Sequence, residues 1–360
     1  MKNSIAIWAD NKDDSNDVYI DIDLNLWLSR YKNGWIKSLV RKVGIKFNQR
    51  WFYENHIDNY IEFGIKISNY KKIDQVHVYF PYNISQHDIK DIVPELTNIT
   101  TLNALFNEKM NISQEDGGFY LISSKKGTEK KHFVVSTSYF DKDDIKHIEG
   151  EGCLLTLNIP HSKNHANILY KRIRVKKLEG SVTEFSSNNF FIEGLFKKLQ
   201  TVEININSLR RLPKYVIDRM NGSHKIKSVN FFMMTDIFMN LIFHSQDIKS
   251  SRILEEDTWN KYLGIDKSFK GLKKVVAYQW KSPKDIDDYN LFIKLEKTEK
   301  RWILFAMSIL FIVFFGIISG YGGNKLTQYL DSTVTATKKQ DNVQIKKEGG
   351  KTYEADAKHK

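Results

Sequence analysis

Two acidic residues and two histidines have spacings that metal sites use. Asp21 and Asp23, in the predicted strand VYIDIDL, alternate so that both carboxylates point to one face, as in divalent-metal sites for nucleotidyl transfer. The Gly-Ser signature that accompanies such sites is absent, and the aspartates that precede the pair favour a solvated acidic loop. His161 and His165 have a zinc-compatible spacing, but they follow a proline in a predicted loop without a pair of thiolates nearby. We therefore predict no catalytic residues, no metal site and no cofactor.

Other signatures of enzyme chemistry are missing. The sequence contains no GxSxG, GxxxxGK[ST] or GxGxxG motif, so no motif assigns an enzyme class. The one cysteine, Cys153, lies in the apolar stretch CLLTLNI, where a free thiol is a small buried hydrophobe. A single cysteine allows no intramolecular disulfide, and the start of the sequence has no apolar signal segment. We expect the bulk of the protein to be cytosolic.

The segment YKRIRVKKL, residues 170–178, is the best candidate for binding phosphate. Its candidate ligands are Lys171, Arg172, Arg174 and Lys176. In a strand, the last three lie on one face at intervals of about 7 Å, with apolar residues on the other face. Such a row of cations suits the phosphates of a nucleotide or oligonucleotide. Anionic lipid and a merely solvated strand face are the two alternatives.

The positive charge of the chain is local. The formal net charge is +12, of which the 39 residues after Tyr321 carry +3. Ser29–Glu54 carries +6 and Tyr170–Gly180 carries +4, so the rest of residues 1–321 is close to neutral. Trp35 and Trp51 interleave with the cations of the first segment, an arrangement that could stack bases or rest on anionic lipid.

One apolar segment is long enough to cross a membrane. From Trp302 to Tyr321 the chain reads WILFAMSILFIVFFGIISGY, and 20 residues at about 1.5 Å each span roughly the 30 Å of a bilayer core. Trp302 and Tyr321 stand where interfacial aromatics stand. The cations before the span are Lys294, Lys297, Lys300 and Arg301, while Lys325 alone follows closely. The positive-inside rule therefore places the N-terminal region in the cytoplasm and the C-terminal residues outside.

The span also has a face of small residues. Gly316 and Gly320 form a GxxxG spacing, and Ser308 lies about two turns earlier on the same side. Small residues at this spacing let helices approach closely, so we predict a homo-oligomer. One span cannot enclose a pore, but a ring of four or more copies could.

Short segments with apolar residues at every second position dominate the first half of the chain. This period is typical of half-buried antiparallel strands. The predicted strands are 17–29, 59–68, 75–80, 132–140, 153–159 and 167–178. Short helices are predicted near Ser85–Val93 and Thr101–Asn107. We predict a β-rich α+β cytosolic region, an antiparallel sandwich or barrel-like sheet with helical additions, followed by one C-terminal transmembrane helix.

The period changes in the second half. Helices are predicted at 192–200, 212–220 and 231–245 and after Ser251 as an N-cap, with strands at 202–207 and 273–280. The predicted organisation is a β-rich cytosolic domain (1–178), a linker or long loop (179–189), a mixed α/β region (190–285), a juxtamembrane helix (286–301), a transmembrane helix (302–321) and a polar tail on the far side (322–360).

This architecture resembles that of membrane-spanning effectors of bacterial antiphage signalling systems, such as the channel effector of the Hailong type. The features that carry the resemblance are WILFAMSILFIVFFGIISGY and YKRIRVKKL. The resemblance implies that a nucleotide or oligonucleotide messenger, made by a partner nucleotidyltransferase, controls an oligomeric effector in the inner membrane. A composition rich in Lys, Asn and Ile fits an AT-rich bacterial genome.

Together these features predict a non-enzymatic, membrane-anchored, ligand-responsive effector that oligomerises and perturbs or permeabilises the bacterial inner membrane. The expected partners are the lipid bilayer, further copies of the chain, a nucleotide or oligonucleotide ligand and a partner signalling enzyme. One alternative is a tethered adaptor or scaffold that holds a protein partner at the membrane. The other is a membrane-bound, metal-dependent hydrolase or nuclease, which rests on Asp21, Asp23 and the histidines.

Overall fold

A computed structural model describes residues 4–11, 17–28, 59–124, 132–161, 166–176, 182–186, 197–220, 226–263, 274–298 and 302–348. The chain forms two compact units, one of Met1–Asn188 with Lys197–Thr298 and the other of Asn189–Phe196 with Glu299–Lys360. The first unit is strand-rich with short helices, which confirms the predicted fold class. The basic segment Ser29–Glu54, with its two tryptophans, and His165 lie outside the described residues.

The strands account for most of the first unit. They are β1 (Ala6–Asn11), β2 (Tyr19–Trp27), β3 (Tyr60–Ser68), β4 (Ile73–Phe80), β5 (Ile89–Asp91), β6 (Met110–Gln114), β7 (Phe119–Ser124), β8 (His132–Ser136), β9 (Ile145–Ile148), β10 (Gly152–Asn158), β11 (Ile168–Val175), β12 (Val182–Ser186), β13 (Lys197–Ile206), β14 (Ile226–Asp236), β15 (Met239–His244), β16 (Ser250–Ile253), β17 (Val275–Lys281) and β18 (Tyr289–Thr298).

Within the described residues these strands form three sheets. The large sheet has the order β16-β17-β14-β2-β3-β11-β8-β7-β6, with β5 also paired to β11. The β4 sheet has the order β1-β4-β10-β9, and the β13 sheet has the order β12-β13-β18-β15. Most neighbours are antiparallel, as predicted, but β14 pairs with β2 and β11 pairs with β8 in parallel.

One apolar core joins the large sheet to the two smaller sheets. Alternate side chains of β2 and β3 are fully buried in it: Ile20, Ile22, Leu24, Leu26, Ile61, Phe63, Ile65 and Ile67. They share the core with Val78 of β4 and Ile204 of β13. Because burying a side chain of this size contributes about 1.5–3 kcal/mol, this interface is the main source of stability for the sandwich.

The helices cover the outer faces of the sheets. They are α1 (Val93–Leu96), α2 (Ile99–Phe106), α3 (Lys214–Met220) and α4 (Glu256–Leu263). The Asn98 side chain caps α2, because its Oδ1 accepts hydrogen bonds from the backbone N–H groups of Thr100 and Thr101 at 3.0 and 3.2 Å. α4 packs Trp259 and Tyr262 against the large sheet, on the face opposite the shared core.

Several predicted helices are strands. Residues 231–245 contain the end of β14, a turn and β15. A helix was predicted there because β14 is covered on both faces and therefore shows a continuous apolar run. The described part of 192–200 begins β13, and Ser251 lies in β16 rather than at a helix N-cap. The predicted juxtamembrane helix is wrong over Tyr289–Thr298, which is β18, a strand whose apolar residues alternate into the core. The helix predicted near Ser85–Val93 is a single 3₁₀ turn, the short strand β5 and the start of α1.

The predicted β-rich region (1–178) and mixed α/β region (190–285) share one sheet and one core. β14, from the second half of the chain, lies between β17 and β2 of the same large sheet. β13 and β18 line the core together with β2 and β3. The two halves therefore fold as one body.

The second unit contains one long helix, α5 (Trp302–Glu348). It includes the whole predicted span 302–321 and continues beyond Gly322, so the polar tail begins as an extension of the same helix. Its segment Ile309–Thr333, with a mean hydropathy of 1.5, is long and apolar enough to cross a membrane. Tyr321 is 67% exposed, whereas the side chains of Trp302 and Ser308 lie outside what the structure describes.

Candidate functional site

The four cations predicted to bind phosphate lie in three different environments. Arg172 and Arg174 share one face of β11, as the strand period predicts, but both are buried under α4 rather than solvated. Lys171 is buried on the opposite face. Lys176 follows the end of the strand and is exposed. The alternation of side chains along β11 was therefore predicted correctly, but the burial of its two faces was not.

Glu62 of β3 binds both arginines. Arg172 donates from Nη2 to Glu62 Oε2 at 2.6 Å, and Arg174 donates from Nε and Nη2 to Oε1 at 2.9 and 2.6 Å. The exposed fractions of the three side chains are 0% for Glu62, 1% for Arg172 and 7% for Arg174. The attraction between buried charges offsets the free-energy cost of desolvation only where the remaining donors also form hydrogen bonds.

Three tyrosines also contact the two arginines. The Tyr262 hydroxyl of α4 donates to Glu62 Oε2 at 2.6 Å and accepts from Arg172 Nε at 2.9 Å. Arg172 Nη1 donates to the Tyr170 hydroxyl at 2.8 Å. The Arg174 guanidinium lies 4.4 Å from the centre of the Tyr60 ring, a cation–π contact. We call Glu62, Arg172, Arg174 and Tyr262 the ionic cluster.

The charges of the ionic cluster are fixed. Burial alone would raise the pKa of Glu62, but the two guanidinium groups outweigh it and hold that pKa below its ordinary value. The pKa of each arginine is raised, because attraction from Glu62 and the surrounding tyrosines exceeds the cost of burial. A carboxylate and two guanidinium groups that keep their charges cannot exchange protons near neutral pH. The ionic cluster therefore fastens β3, β11 and α4 together, and a phosphate could reach the arginines only if the cluster opened.

Gly64 makes room for the ionic cluster. A Cβ atom at this position would lie 2.2 Å from the Tyr170 hydroxyl and 3.1 Å from Arg172 Nη1. Gly64 is the partner of Arg172 across the β3–β11 pair, so the guanidinium lies directly over the glycine. The glycine is thus required by close approach.

The acidic pair lies on a central strand, so the acidic-loop interpretation is wrong for it. Asp21 accepts a hydrogen bond from Ser228 Oγ at 2.6 Å, and Asp23 accepts from Asn230 Nδ2 at 2.9 Å, both across the β2–β14 pair. Burial raises the pKa of Asp23 even though Asn230 and nearby cations oppose it. Among the described residues, no group of three or more His, Cys, Asp or Glu side chains is placed to hold a metal ion. His161 lies beside Asp74, with 3.3 Å between Nε2 and Oδ1.

Lys171 faces a pocket that the sequence did not reveal. The pocket has a volume of about 470 Å³ and lies where the β4 sheet meets the large sheet and the loop after β8. Its polar lining comes from Asp74, Gln75, Ser138, Asp144, Thr156 and Asn158. These residues come from four separate stretches of the chain, so no local motif marks them.

The amine of Lys171 is held at the wall of this pocket. Its Nζ donates to the Ser136 carbonyl at 3.1 Å and to Ser138 Oγ at 2.9 Å. Asp91 fixes the same loop, because it accepts from the backbone N–H of Ser138 at 2.6 Å and from that of Val93 at 3.0 Å. Within the described residues, two of the three N–H groups of Nζ have an acceptor, and the side chain is 2% exposed, so a ligand oxygen could accept from the third only at the pocket wall.

Burial gives Lys171 an unusual pKa. It lowers the pKa of the amine to about 8, and the carboxylate of Asp91 only partly offsets this change. The pocket therefore offers one amine that titrates near neutral pH, together with hydroxyl, amide and carboxylate groups. This set suits a polar ligand that carries hydroxyl groups and one anionic group.

We predict that the stability of the first unit depends on pH through Lys171. Its pKa is about 8 in the folded chain and 10.5 in the reference state, so the unfolded chain binds more protons between these values and stability rises with pH. The rise between pH 7 and 9.5 should be about 2 kcal/mol. Urea unfolding of the full chain in detergent measures it, and Lys171→Met should remove it. Equal pH slopes for the two proteins would contradict the prediction.

The arrangement combines a buried ionic cluster, whose role is structural, with a pocket that presents one amine to a ligand. Comparison with known proteins assigns no family to it: no family model matches the sequence, and no curated protein matches it.

Proposed function

We propose that this protein is a membrane-anchored, ligand-responsive effector of bacterial antiphage defence. Its β-rich unit binds a nucleotide or oligonucleotide in the pocket beside Lys171, and its C-terminal helices oligomerise in the inner membrane and permeabilise it. Binding changes the leak because the ligand has different affinities for two states of the oligomer.

The observation that carries this proposal is the exposure of α5. Among its described side chains, 309–333, the apolar ones are exposed in the single chain, with Leu310, Ile312 and Ile317 each 66–67% exposed. A 25-residue helical segment with a mean hydropathy of 1.5 is unfavourable in water, and at about 1.5 Å per residue it exceeds the 30 Å of a bilayer core. Lipid or further copies of the helix supply the missing cover.

The pocket supports the ligand-binding part of the proposal. Its volume of about 470 Å³ is in the range of small-molecule sites. The amine of Lys171 suits one phosphate oxygen, and the carboxylates of Asp74 and Asp144 suit sugar hydroxyls or amino groups of a base. The site thus differs from the row of cations that the sequence predicted.

The test is an ion-leak assay. We expect the full chain, reconstituted in vesicles of phosphatidylethanolamine and phosphatidylglycerol, to release a trapped dye, and adenine nucleotides or short oligonucleotides to change the rate. Lys171→Met should lose this change. Lys176→Ser is the matched control and should keep it, because Lys176 is an exposed cation of the same segment that does not line the pocket.

The other outcomes separate the alternatives. Stable insertion without any leak would contradict the effector proposal and favour the tethered adaptor. Metal-dependent turnover of a phosphodiester would favour the hydrolase. A leak whose response survives in Lys171→Met would keep the effector but exclude this pocket as the ligand site.

A further inference from the structure

The turn between β14 and β15, together with β15 itself, exposes large apolar side chains. Phe238, in the turn, is 74% exposed, and Ile242 and Phe243 on β15 are 50% and 49% exposed. The register of β15 against β18 shifts between Leu241 and Phe243, so Ile242 is a bulged residue. This bulge explains why two neighbouring side chains both face outwards, whereas a regular strand would turn one of them inwards.

The turn is built to present Phe238. Asp236 Oδ1 accepts a hydrogen bond from the backbone N–H of Phe238 at 3.1 Å, and Ile237 N–H donates to the Lys274 carbonyl at 3.0 Å. Both bonds fix the backbone of the turn and leave the Phe238 ring in solvent. An exposed aromatic on an ordered turn is a site of contact rather than a part of the core.

Three residues, 299–301, join β18 to α5 at the end of β18 that pairs next to this turn. β18 ends at Thr298 and α5 begins at Trp302, a separation of at most about 14 Å along an extended chain. Met239, next to Phe238, pairs with Lys297 at the same end of β18. If α5 enters a bilayer, this short connection therefore tethers the end of β18 to that bilayer.

Cations accompany the exposed aromatics. The Lys294 amine lies 5.9 Å from the centre of the Phe243 ring and 5.8 Å from that of Phe292. Lys274 is exposed beside the turn. Aromatic side chains flanked by lysines are typical of surfaces that rest in the interface of an anionic membrane.

We propose that Phe238, Ile242 and Phe243 form a lipid-contacting surface that inserts into the interface of an anionic bilayer. This inference rests on the proposed anchoring of α5. It adds a second membrane contact, which holds β15 and the turn before it against the lipid headgroups.

Lipid quenching at single sites tests this surface. An environment-sensitive fluorophore is attached at Phe238→Cys in the full chain, and the chain is reconstituted in vesicles containing phosphatidylglycerol and lipids spin-labelled near the headgroup. Because Cys153 is buried, the introduced thiol is the accessible one among the described residues. We expect quenching about twofold or more above that of a probe at Tyr139→Cys, a loop residue that is 91% exposed.

A probe at Ile317→Cys on α5, measured with lipids spin-labelled along the acyl chain, distinguishes the two proposals. Quenching at 317 but not at 238 would overturn the lipid-contacting surface and leave the anchor intact. Absence of quenching at both sites would overturn both. A shielded 238 probe without lipid quenching would instead identify a protein-binding surface and overturn the lipid proposal. Phe243→Cys gives the same readout if the turn variant does not fold.

Discussion

Replacing Glu62 with glutamine should destabilise the first unit by about 3–5 kcal/mol, because it leaves two buried guanidinium groups without a counter-charge. The side chain keeps its shape, so the loss comes from electrostatics rather than from a cavity. Glu62 accepts four hydrogen bonds from the ionic cluster, and its exposed fraction is 0%. Water cannot replace the missing charge without opening the contact between β11 and α4.

Urea unfolding of the full chain in detergent, followed by tryptophan fluorescence, measures this loss. Trp27 and Trp259 lie beside the ionic cluster, with 5.5 Å between their ring centres, and report its opening. The matched control is Lys72→Gln, which removes a solvent-exposed ion pair with Asp17 and should cost about 1 kcal/mol or less. Similar unfolding midpoints for the two variants would show that the ionic cluster does not hold β3, β11 and α4 together as its geometry indicates.

The same variant has a pH signature. The folded-state pKa of Glu62 lies below its reference value of 4.5, so in acid the unfolded chain takes up the proton first. The stability that Glu62 contributes is complete above that reference value and is lost as the pH falls through the folded-state pKa. Glu62→Gln should therefore reduce the acid sensitivity of unfolding as well as the stability at neutral pH.

The ionic cluster shows how much of the site could be predicted from the sequence. The period-two pattern of YKRIRVKKL correctly placed Arg172 and Arg174 on one face of a strand. It could not show that this face meets Glu62, which lies 110 residues earlier, or Tyr262, which lies 90 residues later. One signal was available: Glu62 is the single acidic residue of the strand NYIEFGIKIS and lies between the apolar residues Ile61 and Phe63, where a buried carboxylate needs a cation.

The helix predictions over β14 and β18 were wrong for a related reason. β14 is apolar on both faces because it lies in the middle of a covered sheet, and periodicity cannot distinguish such a strand from a buried helix. β18 does alternate, but the prediction extended the helix of the apolar span back into it. Its pairing with β13 and β15 is set by segments far away in the sequence. The pocket was not predicted for the same reason, because its walls come together only in the folded chain.

The span itself was predicted from composition, and the structure adds a sharper view of its small-residue face. A Cβ atom at Gly316, Gly320, Gly322 or Gly323 would meet no other atom within 4 Å in the single chain. Larger side chains there are therefore harmless to one isolated helix, and they also raise its helix propensity. At about 100° per residue, Gly316, Gly320 and Gly323 share one face, whereas Gly322 lies about 120° from Gly316 on another.

Changing both Gly316 and Gly320 to isoleucine should therefore act only through contacts between chains. We expect the double variant to insert into vesicles and unfold like the wild type, but to lose its oligomer in detergent and about tenfold or more of its leak rate, because close helix approach is blocked. Gly322→Ile is the matched control, with the same added volume in the same helix but on another face, and should leave oligomer and leak unchanged. An unchanged oligomer in the double variant would remove GxxxG packing from the proposed effector. Equal losses in the double variant and in Gly322→Ile would mean that bulk anywhere on the helix disrupts the oligomer, and that this face has no special role.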